Sequence, residues 1–142
     1  MPEMTKEEYK EFLIQGTKTG KLATVREDGR PHVVPIWYTL DGDNIVFTTG
    51  DTSVKAKNMA RDPRVSISVD DQTPPYSFVT IEGTASFSKD PQQLLHWATC
   101  IGGRYMGEDQ AETFGRRNAS EGEILVTIES TKIIAYKDVT PW

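Results

Sequence analysis

The sequence predicts a small, mainly β protein with a few short helices, folded as a closed β-barrel. Three observations predict this class. Short runs of alternating apolar and polar residues are separated by tight-turn signals, which is typical of antiparallel strands. The helical patterns between these runs are short and amphipathic. The length of 142 residues predicts one domain, 1–142, with enough chain to bury a core. Closure would protect the strand edges, although periodicity alone does not separate a barrel from a sandwich.

The first third of the chain predicts one helix and a three-stranded meander. Thr5 and Glu8 match a capping box, so an amphipathic helix is expected to begin there and end near Gly16. Asp-Gly pairs mark the two hairpin turns because glycine accepts the positive φ that such turns require. The predicted strands are 21–25, 31–40 and 44–49.

The rest of the chain predicts three helices and three or four further strands. A helix over 53–61 is stopped by Asp62-Pro63, and Asp90-Pro91 begins another, which Gly102-Gly103 is expected to break after about residue 101. A short helix follows over 109–117. The predicted strands are 65–69, 76–88 with Gly83 as a bulge, and 123–136 as one long strand or a pair.

Composition excludes several classes of partner. The net charge of −5 and a pI near 5.0 do not favour nucleic acid or an anionic membrane surface. No signal peptide and no membrane-spanning run is recognisable, so we expect a cytoplasmic protein without stable membrane insertion. Cys100 is the single cysteine, and its apolar helical context predicts a buried structural thiol.

Few side chains suit acid–base, nucleophilic or metal chemistry. His32 and His96 have no second ligand at metal-binding spacing, so no metal site is expected and the catalytic residues remain unknown. A cofactor that carries its own reactive atom would fit such a sequence, because the protein then supplies only binding, orientation and exclusion of water.

The segment 48–58 is the strongest candidate site. A predicted strand leads through Thr48 and Thr49 into a helix start that carries Lys55 and Lys57. Hydroxyls, lysines and the free N–H groups of a helix start all favour a phosphate. The two lysines are separated by about 200° around a helix, yet near its first turn their long side chains can converge. The alternative is a pair of solvated surface lysines.

Several motifs in order along the chain resemble the pyridoxamine 5'-phosphate oxidase-like superfamily of flavin-binding split β-barrels, and most closely its branch that uses the deazaflavin coenzyme F-420. The resemblance covers nearly the whole chain and rests on the motifs 20–25, 28–33, 54–58, 61–65, 81–85 and 104–107. Each motif is weak alone, but their order and spacing are specific. The family's C-terminal arginine and histidine for pyridoxamine phosphate are missing from 136–142, so that particular activity is not expected.

The resemblance implies a homodimeric split barrel with two cofactor sites at the subunit interface. It implies that Thr48, Thr49, Lys55 and Lys57 contact the phosphate, with Asn58 in the same segment also assigned to the cofactor. It further implies that the strand Val34, Pro35, Ile36 and Trp37 lies against the ring system, and that Tyr76 and Phe78 reach the site from the other subunit. Without the resemblance, Tyr76 and Phe78 would be interpreted as core residues, and Trp37 equally as core or cofactor wall.

The expected function is hydride transfer from reduced coenzyme F-420 to a small organic acceptor with an activated double bond. Two alternatives stay open, an FMN-dependent reductase or oxidase of the same fold and a non-enzymatic cofactor-binding or storage protein. Arg104, Arg116 and Arg117 are interpreted as a solvated surface cluster, or alternatively as residues that steer the oligoglutamate tail of the deazaflavin.

Overall fold

The computed structural model describes residues 1–140, which form seven strands, four α-helices and one 3-10 turn. The helices are α1 (Lys6–Ile14), α2 (Val54–Arg61), α3 (Pro91–Met106) and α4 (Ala111–Asn118), and the 3-10 turn spans Glu108–Gln110. The strands are β1 (Gly20–Val25), β2 (Pro31–Ile36), β3 (Thr39–Asp41), β4 (Asn44–Gly50), β5 (Arg64–Asp70), β6 (Phe78–Ser88) and β7 (Glu123–Tyr136). All strand pairs are antiparallel, in the order β2-β1-β5-β6-β7-β4-β3.

The connection between β2 and β3 shows how the sheet curls. These two strands lie at opposite ends of the sheet order, yet only Trp37 and Tyr38 separate them. Two residues cannot span an open seven-stranded sheet, so its two edges must approach each other, as in a split barrel. Every strand contributes side chains to the main core, β3 only through the partly buried Leu40. The fully buried members include Leu22, Ile45, Phe47, Ile67, Val79, Ile81, Val126 and Ile128.

The predicted single strand over 31–40, and with it the three-stranded meander, is wrong. The ladder stops after Ile36 because the backbone of Tyr38 bonds to side chains of α3 instead of a neighbouring strand. The Tyr38 N–H donates to the Tyr105 hydroxyl over 3.3 Å, and the Tyr38 carbonyl accepts from Arg104 over 2.6 Å.

The predicted starts of α1, α2 and α3 are confirmed, whereas the helix predicted over 109–117 begins only at Ala111, after the 3-10 turn Glu108–Gln110. Thr5 and Glu8 form the capping box of α1, with the Glu8 N–H donating to Thr5 Oγ1 over 3.2 Å and the Thr5 N–H donating to Glu8 Oε1 over 2.9 Å. Asp90 caps α3, and Pro91 occupies its first turn. These local signals fix where the helices begin because they satisfy N–H groups that have no acceptor within the helix.

The predicted break of α3 at Gly102-Gly103 is wrong, because the helix continues to Met106. These glycines allow α4 to pack closely against α3. A Cβ on Gly102 would lie 2.8 Å from the Cβ of Phe114, and one on Gly115 of α4 would lie 2.9 Å from the Cα of Thr99. The glycines therefore mark a close helix contact and not a helix end.

In the last two strands, only the start of β6 differs from the predicted bounds. β6 begins at Phe78, because Tyr76 lies in the preceding loop with a φ of +58°. The predicted bulge at Gly83 is confirmed by a register shift between Glu82 and Gly83. A Cβ there would lie 2.5 Å from the carbonyl oxygen of Glu129, so only glycine fits. The segment 123–136 is one continuous strand.

Candidate functional site

A pocket of about 310 Å³ lies where the end of β2, the end of β4 and the start of α2 meet. The sheet places β2 near β4 only because the barrel edges approach each other, so this pocket is a product of closure. Its lining combines hydroxyls, one cation, one carboxylate and an aromatic side chain, and consists of Pro35, Ile36, Trp37, Thr48, Thr49, Gly50, Lys55, Ile101, Asn118 and Glu123.

The start of α2 supplies hydrogen-bond donors to this region. Ser53 is the N-cap, and its Oγ accepts from the Ala56 N–H over 3.2 Å and lies 3.0 Å from Thr49 Oγ1. The first N–H groups of any helix lack acceptors within it and carry a partial positive charge. Gly50 leaves the approach open, since a Cβ there would meet nothing within 4 Å. The arrangement suits an anion that sits against the backbone.

Lys55 is the cation of this pocket, and it is half-buried. Among residues 1–140, no carboxylate lies within the 4.0 Å ion-pair distance of its Nζ. Burial lowers the pKa of Lys55, and the nearby Glu123 partly offsets this effect. Burial likewise raises the pKa of the Glu123 carboxyl, which Lys55 opposes and Asp51 reinforces. Lys55 is therefore a desolvated cation that a bound anion would stabilise.

Trp37 forms the aromatic wall, and α3 and α4 hold it in place. Its ring stacks on Tyr105 with centroids 5.1 Å apart and planes within 3°, and it meets Phe114 at 6.1 Å. The Tyr105 hydroxyl donates to the Lys18 carbonyl over 2.7 Å, which fixes the stacking partner. Trp37 is half-buried and lines the pocket, so it serves both packing and the site.

Arg104 supports this wall from behind, and the interpretation of Arg104 as a solvated surface residue is wrong. Its guanidinium donates to three backbone carbonyls, those of Gly16 at 3.0 Å, Leu13 at 2.8 Å and Tyr38 at 2.6 Å. It also lies 4.7 Å from the centroid of the Tyr38 ring. Nothing in the local sequence distinguishes such a structural arginine from a surface one, because its acceptors are distant along the chain.

The two other arginines of the predicted cluster lie at the surface, on α4. Arg116 forms an ion pair with Glu112 at 2.5 Å, and the Arg117 guanidinium lies 5.8 Å from the centroid of the Phe114 ring. Neither lines the pocket.

The pocket brings together six of the residues predicted to bind the cofactor: Pro35, Ile36, Trp37, Thr48, Thr49 and Lys55. Val34 lies outside it, half-buried and opposite Leu22 in the β1–β2 ladder. Lys57 is exposed on the far side of α2. Asn58 is buried, and its amide donates to Thr24 Oγ1 over 3.0 Å. Asn58 is thus bonded to the barrel interior and does not line the pocket.

Tyr76 and Phe78 lie at a different cleft. They line it together with Lys21, Ser68, Asp70, Asp71, Ser77 and Val139. Tyr76 is 42% exposed, and the Phe78 ring packs against Tyr136 with centroids 5.8 Å apart. Because Tyr76 precedes β6 and is not part of it, the expected alternation that would put both side chains on one strand face does not apply.

Several pocket residues were missed by the sequence analysis. Ile101, Asn118 and Glu123 all line it, whereas Gly50, which also lines it, lies within the predicted segment 48–58. The position of Glu123 at the start of a predicted strand could be read from the sequence. Its approach to the site could not, because it depends on the long-range pairing of Glu123 with Gly50. Asn118 and Ile101 come from helices whose packing the sequence did not specify.

Cys100 and the histidines lie outside the pocket. Cys100 is exposed, so the expectation of a buried thiol is wrong: it lies on the solvent side of α3, 3.9 Å from His96 Nε2. Partial desolvation and the nearby Glu108 raise its pKa, which disfavours a reactive thiolate. Across the described residues, no group of three potential metal ligands occurs, and no helix has the length and apolar character to cross a membrane.

Comparison with known proteins shows the family and the fold. A family model described as pyridoxamine 5'-phosphate oxidase matches residues 5–134. A conserved hypothetical protein from Mycobacterium tuberculosis is 28% identical, with a TM-score of 0.84 over 95% of this chain and 86% of that one. An F-420 reductase is 26% identical, with a TM-score of 0.71 over 87% and 94%. The haem storage protein of Vibrio cholerae shares the fold, with a TM-score of 0.70, 21% identity and coverage of 92% and 94%.

Proposed function

This chain belongs to the pyridoxamine 5'-phosphate oxidase family, and from that premise we propose that it is an oxidoreductase that binds coenzyme F-420. In this proposal it acts as a cytoplasmic homodimer and passes hydride from the reduced coenzyme to an organic acceptor with an activated double bond. The similarity to an F-420 reductase over most of both chains supports the choice of coenzyme.

The observation that carries the proposal is the half-buried Lys55, which lacks a carboxylate within ion-pair distance in the described chain and faces a pocket with the start of α2. A cation that has lost water without gaining a partner is unfavourable in the free protein. A phosphate would restore the missing interaction through a charge-assisted hydrogen bond. Thr48, Thr49 and the free helix N–H groups would share the remaining phosphate oxygens. The donor set therefore fits the phosphate of a flavin-like coenzyme.

The chain's own residues would act by binding, orientation and exclusion of water. The bound coenzyme would supply the hydride, so the transfer itself requires no catalytic acid or base from the chain. Trp37 and Ile36 offer an apolar wall beside the polar phosphate end. Because Tyr105 and Phe114 fix Trp37 from behind, this wall would hold a planar ring in a single orientation.

The proposed homodimer follows from the size of the pocket and from the outer face of the sheet. A volume of about 310 Å³ is at the low end for ligand sites, so a coenzyme with a tricyclic ring would need further walls. Val33 of β2 is 67% exposed and offers an apolar contact for a second copy. In such a dimer, Tyr76 and Phe78 would complete the pocket of the other subunit. Sedimentation that shows a stable monomer would contradict this part of the proposal.

The decisive test is a titration of the purified protein with coenzyme F-420 and separately with FMN, followed by tryptophan fluorescence. Trp37→Phe should remove most of the signal, whereas Trp97→Phe, a matched change outside the pocket, should preserve it. Tighter binding of F-420, followed by oxidation of the reduced coenzyme with an enone or quinone acceptor, would support the proposal.

The alternatives are separate outcomes of the same titration. Tighter FMN binding would place the protein among FMN-dependent reductases or oxidases. Binding of F-420 without turnover of any acceptor would favour a cofactor-binding or storage protein. Binding of neither coenzyme would overturn the proposal.

A further inference from the structure

A carboxylate lines the same pocket as the proposed phosphate-binding lysine. Glu123 begins β7 and pairs with Gly50 at the end of β4, next to the turn into α2. The Asp51 N–H donates to the Gly122 carbonyl over 2.8 Å, so the two segments are joined on either side of the pair. The position of the Glu123 carboxylate is therefore set by the sheet and not by a mobile loop.

The charges around this pocket nearly cancel. Lys55 contributes one positive charge and Glu123 one negative charge, while Asp51 is balanced by Lys89 at 3.6 Å. The remaining attraction for an anion comes from the partial charge at the start of α2 and from uncharged donors. A carboxylate in the lining weakens the attraction of the pocket for any anion, and partial burial makes its charged form unfavourable. We therefore look for a role of Glu123 other than increasing the affinity for anions.

Phosphate esters differ in charge in a way that this pocket can distinguish. A phosphomonoester carries close to two negative charges above its second pKa of about 6, whereas a phosphodiester carries one. Glu123 repels every ligand charge, and Lys55 attracts every ligand charge. The second charge of a monoester therefore gains little net attraction here, and it still loses its hydration on entering the pocket.

We propose that Glu123 is a specificity-determining residue that makes the pocket prefer a singly charged phosphodiester to a doubly charged phosphomonoester. This inference rests on the proposed function. Coenzyme F-420 carries its phosphate as a diester and FMN carries it as a monoester, so Glu123 would act as the feature of this chain that separates the two coenzymes.

The test compares dissociation constants of F-420 and FMN for the wild type and Glu123→Gln at pH 8.0. The substitution preserves size, and the Glu123 carboxylate forms no ion pair among residues 1–140, so folding should be retained. Glu121→Gln is the matched control, because it removes the same net charge from an exposed position two residues away.

We expect Glu123→Gln to tighten F-420 binding by about fivefold and FMN binding by about twenty-fivefold, because the Glu123 carboxylate repels the two phosphate charges of FMN twice as strongly as the single phosphate charge of F-420. Glu121→Gln should change both by less than about twofold, since solvent and salt screen an exposed charge. At pH 5.5 the wild type should lose most of its discrimination, because the FMN phosphate takes up a proton. The charged groups near Glu123 in this comparison are Lys55 and Asp51, the latter paired with Lys89.

The outcomes separate this inference from the proposed function. Equal changes for both coenzymes in Glu123→Gln, or no change, would overturn the role of Glu123 even if F-420 binds more tightly to the wild type. A wild type that prefers FMN would overturn both the proposed coenzyme and the preference for a phosphodiester, even if Glu123→Gln gains affinity selectively for FMN. Binding of neither coenzyme by either protein would overturn both.

Discussion

Arg104 and Lys55 are both half-buried cations near Trp37, and they have opposite surroundings. Arg104 donates to three backbone carbonyls and lies between the rings of Tyr38 and Tyr105, at 4.7 and 4.9 Å from their centroids. Lys55 lines a pocket and has no carboxylate within 4.0 Å in the described chain. The fold satisfies the charge of Arg104, whereas the charge of Lys55 would gain a partner from the phosphate of the proposed coenzyme.

The difference suggests a criterion that separates a cation that stabilises the fold from a cation that is available to a ligand, namely whether the folded chain supplies its hydrogen-bond acceptors. Arg104 connects the end of α1, the β2–β3 break and α3, so its bonds stabilise the barrel closure that creates the pocket. Lys55 contributes little to the fold, because desolvation without a partner opposes burial of its charge. If this comparison holds, changes at Arg104 should affect stability and changes at Lys55 should affect binding.

The largest expected effect is the loss of stability in Arg104→Met. Three carbonyls would lose a charged donor in a partly buried setting, so we expect the free energy of unfolding to fall by about 3–5 kcal/mol. Urea unfolding measures this change. Arg104→Lys retains the charge but not the planar fork, so it should fall between the wild type and Arg104→Met. A stable Arg104→Met protein with weakened coenzyme binding would instead place Arg104 in the ligand site.

The second effect is a loss of coenzyme affinity in Lys55→Met. Removing a charge-assisted phosphate contact should cost about 1.5–3 kcal/mol of binding free energy. The free energy of unfolding should stay within about 0.5 kcal/mol of the wild type, because no ion pair is lost. Lys57→Met is the matched control two residues away, exposed and outside the pocket lining. Equal losses at both positions would show that both lysines reach the phosphate, as the sequence resemblance implies.

The third effect is a pH-dependent loss of stability from Tyr38. Burial raises the pKa of its phenol from 10.0 to about 12, against a smaller opposing effect of Arg104. The folded state therefore keeps the proton more tightly than the unfolded state. The contribution of the protonated Tyr38 phenol to the free energy of unfolding is fully present below pH 10. It is lost as the pH rises from 10 to about 12, which lowers the free energy of unfolding by up to about 2 kcal/mol. The difference between wild type and Tyr38→Phe in urea unfolding over that range isolates the contribution, and a constant difference would contradict it.

The smallest effect is expected for Trp37→Leu. Loss of the stack on Tyr105 should lower the free energy of unfolding by about 1 kcal/mol beyond the change in apolar area. Trp37 packs against Tyr105 and also lines the pocket of Lys55, so the same change should also weaken coenzyme binding. Urea unfolding measures the change in stability. Calorimetric titration, which does not depend on tryptophan fluorescence, measures the change in coenzyme affinity. Unchanged binding with reduced stability would leave Trp37 as a packing residue alone.

Local signals in the sequence were reliable wherever the interaction partners lie close along the chain. The capping box of α1 and the Asp90 cap of α3 act within a few residues. The elements containing them were therefore predictable. The failures at Tyr38 and at Gly102-Gly103 share one cause, since both depend on α3 packing against distant segments.

The same distinction applies to the candidate site. Thr48, Thr49 and Lys55 were found because a strand, a turn and a helix start follow one another in the chain. Glu123 and Asn118 were missed because they reach the pocket only through the β4–β7 register and the packing of the helices. Asn58 was assigned to the cofactor from its segment, yet the turn of α2 directs it to Thr24 in the barrel interior.

The sequence by itself determined the strands outside 31–40, the starts of α1, α2 and α3, and the run of phosphate-type donors at 48–58. These follow from side-chain period, capping and turn chemistry, which act over a few residues. Only the tertiary structure decided that β2 and β3 separate at Trp37–Tyr38, that Arg104 is satisfied while Lys55 is not, and that Glu123 faces the same pocket. Those features depend on contacts between residues up to 91 positions apart, and the geometry of such contacts is fixed only when the sheet closes.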